Sequence, residues 1–347
     1  MADERPSSGR IEPMTTALKR TAGAPPTVSV LIPVRNGARW LDEAVASVLA
    51  QSWTDLELVV VDDASLDVTP AMLRTWCERD PRVRVLRRAV ATGAVAARRE
   101  AVAAARGPLL AMLDADDVAA PDRLRRQVAE MATRPALVLL GTGARYVDAD
   151  GNVFMTERAT AGPDVAARLL HDNLFFHPSV MVRADAFAAV GGYRPQLEPA
   201  DDYDLWLRLA EHGEVDNLAD ALIDYRLHDA QVSFRQIEQQ ATAGAAASWA
   251  ARRRASGAPD PLADLPVLDD EALISVGLPL HELAASRRDS FMWSARMYTV
   301  TGSPSLADAC WDLALREAAH LGAAEVAAVQ RERAASPVAV DPKRRSD

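Results

Sequence analysis

Residues 108–117 read PLLAMLDADD, an apolar run of strand length that is followed by three carboxylates. A buried strand of this kind places negative charge at the carboxyl edge of a sheet, where closely spaced acids repel unless a cation holds them. Ligands of open α/β sheets bind at that same edge. The stretch therefore indicates a hard divalent cation that carries a phosphate ligand.

Strands and helices alternate around this stretch, from residue 28 to about residue 140. Apolar runs over residues 28–33 and 56–61 predict two strands, each followed by a helix. Near-continuous apolar strands in such units imply a mostly parallel sheet that is covered on both faces. The second run ends in Asp62 and Asp63, on the same predicted edge. An acid there suits a hydrogen bond to a base or ribose, and a helix cap or turn residue is the alternative.

The composition is that of a globular chain, since 49% of its 347 residues are hydrophobic and 25% are charged. A formal net charge of -10 argues against a nucleic-acid-binding surface, which needs a basic face. Cys77 and Cys310 fit no metal-ligand spacing and no disulfide framework, which favours a reducing, cytoplasmic location. Residues 1–26 lack the apolar core of a signal peptide. No stretch approaches the roughly 18–20 apolar residues of a membrane span.

Four short motifs occur in a recognisable order: VSVLIPVRNG at 28–37, SVLAQS at 47–52, VVDDAS at 60–65 and LDADD at 113–117. This ordered series resembles the family 2 glycosyltransferases of the GT-A fold, over about residues 27–234. The resemblance implies an α/β fold with a Rossmann-like, mostly parallel sheet flanked by helices.

The boundaries of domains and tails follow from the resemblance and from changes in composition along the chain. Within the GT-A domain, residues 27–118 would form the nucleotide-binding half and residues 119–234 the acceptor-side half. An added helical C-terminal region is expected over 235–337, between a disordered tail at 1–26 and a flexible tail at 338–347.

The resemblance also implies a nucleotide-sugar donor. By position, Asp63 would hydrogen-bond the base, which is usually uracil in this family. Pro33 would lie against the nucleotide, and Arg98 would lie near it, with an exposed helical arginine as the alternative. Asp114, together with Ala115, would contact the ribose or the donor sugar.

A Mg²⁺ or Mn²⁺ cofactor is the second implication. Asp116, the second acid of the Asp-x-Asp motif, would ligate the cation that bridges the diphosphate, since oxygen ligands suit both ions. His228 would be a metal or phosphate ligand, and an ordinary loop histidine is the alternative. Arg35 is assigned to the nucleotide-sugar site, although many members have an aromatic residue there. Arg99 stands where many have Asn, and either departure could alter the choice of nucleotide.

The motif DDYDLWLRL at residues 201–209 predicts a helix that ends near His212, and it resembles the acidic helix start of the family. Asp202 would be the general base, with Asp201 as the alternative base. A carboxylate must remove the acceptor's proton as its oxygen attacks the anomeric carbon, and a second acid beside it would raise its pKa. Capping of the helix by these acids is the other interpretation. His177 is expected to be structural rather than catalytic.

The predicted function is metal-dependent, inverting sugar transfer to an acceptor hydroxyl of a glycan, a lipid-linked sugar or a natural product. One alternative is a sugar nucleotidyltransferase, which normally needs a Gly-rich phosphate loop that is absent after Ile32. Another is a non-catalytic nucleotide-sugar-binding protein, against which the intact acids argue. The C-terminal helices would form a homodimer interface or a wall of the acceptor site. The run Arg252–Arg254 predicts a solvated helix end, with peripheral contact to a membrane surface or an anionic acceptor as the alternative.

Overall fold

The computed structural model of the protein describes residues 25–228, 231, 236–300 and 303–336. The predicted tails, apart from residues 25 and 26, lie outside these ranges, and so does the predicted domain boundary at residue 234. Within the described ranges, every helix is too short or too polar to cross a membrane.

One mixed sheet holds the strands of the described residues. In chain order they are β1 (Val28–Val34), β2 (Leu56–Asp62), β3 (Val83–Arg87), β4 (Leu109–Met112), β5 (Val118–Ala119), β6 (Leu137–Val147), β7 (Val153–Glu157), β8 (Met181–Arg183) and β9 (Glu214–Arg226). The spatial order is β3-β2-β1-β4-β8-β6-β9-β5, and β7 pairs with β6. The first four strands are mutually parallel, as the sequence predicts, whereas β8 runs antiparallel to both β4 and β6.

Helices cover the sheet and continue beyond it. They are α1 (Leu41–Leu49), α2 (Thr69–Arg79), α3 (Ala94–Ala104), α4 (Arg123–Thr133), α5 (Val165–Leu169), α6 (Ala184–Ala189), α7 (Asp201–His212), α8 (Ile237–Ala255), α9 (Asp270–Ser275), α10 (Leu280–Val300), α11 (Pro304–Leu321) and α12 (Ala323–Ala335). The predicted helix from residue 201 to residue 212 is confirmed as α7.

The apolar strands are buried on both faces because successive side chains point to opposite sides of the sheet. Val59 and Val61 belong to the apolar cluster that includes α3 and α7. Leu58 and Val60 belong to a separate cluster with α1 and α2. All seven residues of β2 are buried. This two-sided burial confirms the sandwiched parallel sheet that the near-continuous apolar runs predict.

The strand order brings several chain segments to one edge of the sheet. β1 lies between β2 and β4, so the carboxyl ends of these strands meet where the strand order reverses. β8 is antiparallel to β4, with Ala111 opposite Met181. Residues just before Met181 therefore lie beside residues just after Met112. In the same way, β9 ends next to β5, with Val118 opposite Asp224.

The second half of the sheet differs from the sequence prediction. A strand is expected over 137–140, but β6 continues to Val147 and pairs with three strands. β9 is not apparent in the sequence, because aspartates and an asparagine interrupt its apolar pattern. Parallel pairing of β9 with β6 also shifts register near Thr142 and Gly143.

The C-terminal helices pack onto the sheet-containing part of the chain. The stretch of α8 from Ala245 to Ala251 is buried in the same apolar cluster as α7. Phe291 of α10, Trp311 of α11 and Val329 of α12 form a further cluster. The helical C-terminal region is confirmed, and its first helix shares the apolar core of the α/β part.

The arginines that end α8 are engaged within the chain. Arg252 ion-pairs with Glu282, and Arg254 ion-pairs with Glu211. The guanidinium of Arg253 lies over the ring of Trp249, 5.8 Å from its centroid. These contacts use the charges within the chain, an arrangement that neither interpretation of the run includes.

A buried acid, Glu57, connects several segments at the amino ends of the parallel strands. Glu57 on β2 is 1% exposed, and its carboxylate accepts hydrogen bonds from the hydroxyl of Ser29, Nη1 of Arg84 and both the amide and Nε of Arg106. Burial alone would raise the pKa of Glu57, but these donors more than offset it, so the net shift is downward. The group therefore joins β1, β2, β3 and the segment after α3.

We predict that Glu57→Gln lowers the free energy of unfolding at pH 7 by about 2 kcal/mol, because charge-assisted hydrogen bonds to a buried group are lost. Because the folded pKa is depressed, this stabilisation is present above the unfolded value near 4.5 and is lost as the pH falls through the folded pKa. Urea denaturation at several pH values measures both effects. Glu78→Gln, on the exposed surface of α2, is the control and should change little. Equal stability of the wild type and Glu57→Gln at pH 7 would contradict the prediction.

Candidate active site

The acid loop, residues 114–117, joins β4 to β5 at the carboxyl edge. The side chains of Asp114 and Asp116 are 29% and 27% exposed, whereas Asp117 is buried. Oδ1 of Asp117 accepts a hydrogen bond from the amide of Arg226, 2.8 Å away. Burial and the neighbouring Asp116 and Asp114 raise the pKa of Asp117 well above its ordinary value. Asp117 thus joins the acid loop to the end of β9, and it leaves Asp114 and Asp116 open to solvent.

Asp116 faces His228 across the edge of the sheet. Oδ2 of Asp116 and Nε2 of His228 are 2.9 Å apart. The imidazole lies against the indole of Trp40, with ring centroids 4.3 Å apart. Trp40 is held in turn by a hydrogen bond from its Nε1 to the carbonyl of Ala149. His228 therefore has a supported position beside the second acid of the Asp-x-Asp motif.

Arg226 is the buried link between this pair and the rest of the fold. It is 2% exposed, and its Nε donates to the carbonyl of Asp116 over 2.8 Å. Its Nη2 donates to Glu43 of α1, and its Nη1 donates to the carbonyls of Asp148 and Ala149. One guanidinium thus joins the acid loop, α1 and the turn between β6 and β7.

The donor atoms at Asp116 and His228 fit a divalent cation. Neighbouring ligands of an octahedral ion with bonds of about 2.1 Å lie about 3 Å apart, which is close to the spacing of Oδ2 and Nε2. Across the described residues, three or more acidic, histidine or cysteine side chains do not gather into a metal cluster. Two protein ligands suit an ion that takes its other ligands from water and substrate phosphates.

Asp114 belongs to a second group of polar residues. Its Oδ1 lies 3.3 Å from Nδ1 of His177, and Nε2 of His177 lies 3.1 Å from the hydroxyl of Tyr193. Burial would raise the pKa of Asp114, but His177, Arg98 and other cations outweigh it, and the net shift is downward. His177 stands in the short 3₁₀ helix before β8, and the antiparallel pairing with β4 explains its contact with Asp114.

A buried cation lies behind the acid loop. Arg123 of α4 is 1% exposed, and its Nη2 donates to the carbonyls of Met112 and Val180. Burial lowers the pKa of Arg123 to about 9, and the nearby Asp117 and Asp114 oppose the shift. Arg123 therefore keeps its charge at neutral pH and contributes positive potential beneath the acids.

The start of α7 carries two acids in different surroundings. Asp201 is fully buried, and both of its carboxylate oxygens accept hydrogen bonds from Nη1 of Arg98, at 3.2 and 3.0 Å. Asp202 is partly exposed, and its Oδ1 accepts from the amide of Tyr203. Burial and the charge of Asp201 raise the pKa of Asp202, and His177 and Arg98 oppose the shift. The raised pKa makes Asp202 a stronger base than an ordinary aspartate.

The residues assigned to the nucleotide end lie at the ends of β1 and β2. Asp63 accepts hydrogen bonds from the amides of Thr92 and Gly93, and its Oδ1 lies 3.3 Å from Nε of Arg88. Pro33 is half-buried in β1, and Arg35 is exposed in the turn that follows. The carboxylate of Asp63 therefore fixes the start of α3.

The structure joins most of the predicted site residues into two connected groups at one edge, and Pro33, Arg35 and Asp63 lie outside both groups. The first joins Asp116 to His228, and the second joins Asp114, His177, Tyr193, Arg98 and the two acids of α7. Ala115 lies between them on the acid loop, 3.8 Å from where a Cβ on Gly37 would stand. Arg98 is expected to lie near the nucleotide. In the structure it contacts Asp201, and this ion pair was not predicted.

Sequence reasoning missed several residues that shape this edge, among them Trp40, Arg226 and Glu198. Glu198 accepts hydrogen bonds from the amides at the start of α3, and burial together with Asp201 raises its pKa. Arg226 lies two residues before His228, the predicted ligand. Its neighbours in the sequence do not indicate that its side chain is buried. Trp40 matches the apolar spacing of α1 and so resembles an ordinary core residue.

Comparison with known protein families matches residues 29–190 to the family described as Glycosyl transferase family 2. Among the similar proteins is EpsE of Bacillus subtilis (strain 168), which is 30% identical over 217 residues, covering 61% of this chain and 76% of EpsE. The O-antigen biosynthesis glycosyltransferase WbnJ of Escherichia coli is 28% identical over 206 residues, covering 58% of this chain and 80% of WbnJ. A chondroitin synthase of Pasteurella multocida (strain Pm70) is also similar, at 28% identity over 62% of this chain, but the chain spans only 22% of its length.

Two solved structures share the fold at low sequence identity. A mannosyltransferase from Pyrobaculum calidifontis, in complex with GDP-Man and Mn²⁺, has a TM-score of 0.55 at 21% identity, covering 90% of this chain and 81% of that chain. Residues 1–349 of TarS from S. aureus, in complex with UDP-GlcNAc, have a TM-score of 0.55 at 15% identity, covering 85% of this chain and 91% of that chain. The predicted GT-A fold is thereby confirmed.

We predict that Arg226→Met lowers the free energy of unfolding by about 3 kcal/mol, because it leaves several acceptors around the acid loop without their donor. Arg145→Met is the matched control on the neighbouring strand β6. Arg145 forms a partly exposed pair with Asp224, so its loss should cost less than about 1 kcal/mol. Urea denaturation of the two variants makes the comparison. Similar losses for both would show that Arg226 does not have the linking role described above.

Proposed function

The chain belongs to glycosyl transferase family 2, and we propose that it moves a sugar from a nucleoside-diphosphate sugar to an acceptor hydroxyl with inversion at the anomeric carbon. The observation that carries the proposal is the meeting of Asp63, the pair Asp116–His228 and the acid Asp202 at one edge of the sheet. A base contact, a cation site and a proton acceptor are the three elements that this reaction needs.

We assign the nucleoside end of the donor to the region of Pro33, Arg35 and Asp63. The carboxylate of Asp63 also accepts from the amides of Thr92 and Gly93, so a contact with an N–H of the base, for which uracil is our first candidate, would share it with the start of α3. Asp114 and Ala115 would contact the ribose or the donor sugar. Structural neighbours bound to UDP-GlcNAc and to GDP-Man support a nucleotide-sugar donor as a class.

Asp116 and His228 would hold Mg²⁺ or Mn²⁺. When bound, the cation would neutralise charge on the departing nucleoside diphosphate. The Mn²⁺ in the mannosyltransferase structure supports the use of a divalent ion. Arg226 and Trp40 hold the two protein ligands beside each other, and a bound ion would replace the contact between Oδ2 of Asp116 and Nε2 of His228.

Asp202 is our candidate for the general base. The acceptor hydroxyl attacks the anomeric carbon, its proton passes to the carboxylate of Asp202, and the bond from that carbon to the diphosphate oxygen breaks. The transition state has oxocarbenium character, as in glycoside hydrolysis. Asp202 can accept the proton only while it is ionised. Activity should therefore fall as the pH is lowered through the raised pKa of Asp202.

The acceptor is proposed to be a hydroxyl of a glycan, a lipid-linked sugar or a natural product. The names of the relatives involved in chondroitin and O-antigen synthesis favour a glycan. A homodimer through the C-terminal helices stays a proposal, which light scattering would test. Family membership disfavours both a nucleotidyltransferase and a non-catalytic binding protein.

We predict that Asp202→Asn lowers kcat by at least about a hundredfold, because the general base is lost. Nucleotide-sugar affinity should stay within about twofold of the wild type, since the contacts proposed for the donor remain. Release of nucleoside diphosphate and isothermal titration calorimetry measure the two quantities. Asp150→Asn, on the exposed turn between β6 and β7, is the control and should retain activity. Turnover by Asp202→Asn at the wild-type rate would refute the base assignment.

We also predict that a donor nucleotide raises the melting temperature only when Mg²⁺ or Mn²⁺ is present, because a ligand that prefers the native state stabilises it. The screen uses UDP-, GDP- and other nucleotide sugars, with and without EDTA. Asp116→Ala should fold, lose the metal-dependent shift and abolish transfer. A shift of the same size in EDTA, or in Asp116→Ala, would contradict the assigned cation site.

A further inference from the structure

We propose that Arg98 and Asp201 are positioning residues whose buried ion pair fixes the start of α7 against α3 and thereby holds the Asp202 carboxylate at the reacting centre. This inference rests on the proposed function, in which Asp202 is the general base. It gives the two adjacent acids of α7 separate tasks, one as an anchor and the other as the proton acceptor.

The geometry of the pair supports an anchor. Nη1 of Arg98 donates to both oxygens of Asp201, at 3.2 and 3.0 Å, and the side chain of Asp201 has no exposed surface. The two residues are 103 positions apart in the chain and come from different helices. Asp201 lies out of reach of an acceptor in solution, whereas the next residue, Asp202, is partly exposed.

The surroundings of Arg98 restrict its position further. Its guanidinium lies over the ring of Tyr193, 5.9 Å from the centroid. The hydroxyl of Tyr193 is 3.1 Å from Nε2 of His177, which in turn contacts Asp114. Arg98 therefore contacts Tyr193, in the segment between α6 and α7, as well as α7 itself. A shift of Arg98 would move the base relative to the residues proposed to hold the donor sugar.

The charges around Asp202 come from several elements. Arg98 belongs to α3 and Asp201 to α7, and His177 precedes β8. Asp114 and Tyr193 lie close to Arg98, and Glu198 lies close to Asp201. Among these groups, the negative charge of Asp201 disfavours ionisation of Asp202, whereas His177 and Arg98 favour it.

The first test replaces the anchor. Asp201→Asn removes the charge beside Asp202, so the acid limb of the kcat profile should move to lower pH. Loss of the anchor should also lower kcat about tenfold to a hundredfold, because a small displacement of a catalytic group is costly. Donor affinity, measured by calorimetry, should stay within about twofold. A role confined to folding would lower the melting temperature without moving the limb.

The second test uses the fact that one nitrogen of Arg98, Nη1, donates both hydrogen bonds to Asp201. Arg98→Lys keeps one cationic nitrogen for Asp201 and should retain most of kcat and the position of the acid limb. Arg98→Gln removes a charge that favours ionisation of Asp202, so it should move the limb to higher pH, opposite to the shift in Asp201→Asn. The double variant Arg98→Gln/Asp201→Asn removes both charges. It should recover much of the melting temperature lost in Arg98→Gln while kcat stays low.

Arg296→Gln, which breaks a surface pair with Glu332, is the control and should leave kcat and the limb unchanged. Normal turnover and an unmoved acid limb in Asp201→Asn would overturn the inference while leaving the proposed function intact. Loss of transfer in Asp201→Asn as complete as in Asp202→Asn, with no limb left to measure, would assign Asp201 to the chemistry and also overturn it. A wild-type chain that transfers no sugar from any nucleotide sugar would refute the proposed function, and this inference with it.

Discussion

Repulsion among the carboxylates at the carboxyl edge of the sheet is the constraint that organises the surrounding segments. Six acids meet there: Asp63, Asp114, Asp116, Asp117, Asp201 and Asp202. Four of them contact a basic side chain, and the other two accept a hydrogen bond from a backbone amide. Asp63 has Arg88, Asp114 has His177, Asp116 has His228, Asp117 has the amide of Arg226, and Asp201 has Arg98. Asp202 likewise accepts from a backbone amide, that of Tyr203, and it differs from Asp117 in being partly exposed.

This pattern explains why distant parts of the chain converge on the acid loop. The contacting groups come from the segments just after β3 and β9, the end of β9, α3 and the segment before β8, so the carboxylates join several elements to the edge. A buried charge without a partner is strongly destabilising, and the partners therefore stabilise the fold as well as the site. For Asp202, the proposed role as general base requires an ionised oxygen that an acceptor can approach.

The sequence predicted the first half of the fold well because its signals are local. The apolar runs of β1 and β2, the acid loop and the bounds of α7 all follow from neighbouring residues. β9 escaped prediction because its 13 residues include Asp216, Asn217 and Asp224, whose polar side chains are accommodated by tertiary contacts. Similarly, the pairing of Arg98 with Asp201 has no local signal, and only the folded chain shows which of the two adjacent acids is buried.

The position of β8 has a mechanical consequence. This strand is hydrogen-bonded to β4 on one side and to β6 on the other, so one continuous ladder joins the segments assigned to donor and acceptor. Separating the two sides as rigid bodies would break those backbone hydrogen bonds. Any opening that admits a substrate must therefore come from the connecting segments above the ladder, while the strands beneath them keep a fixed separation.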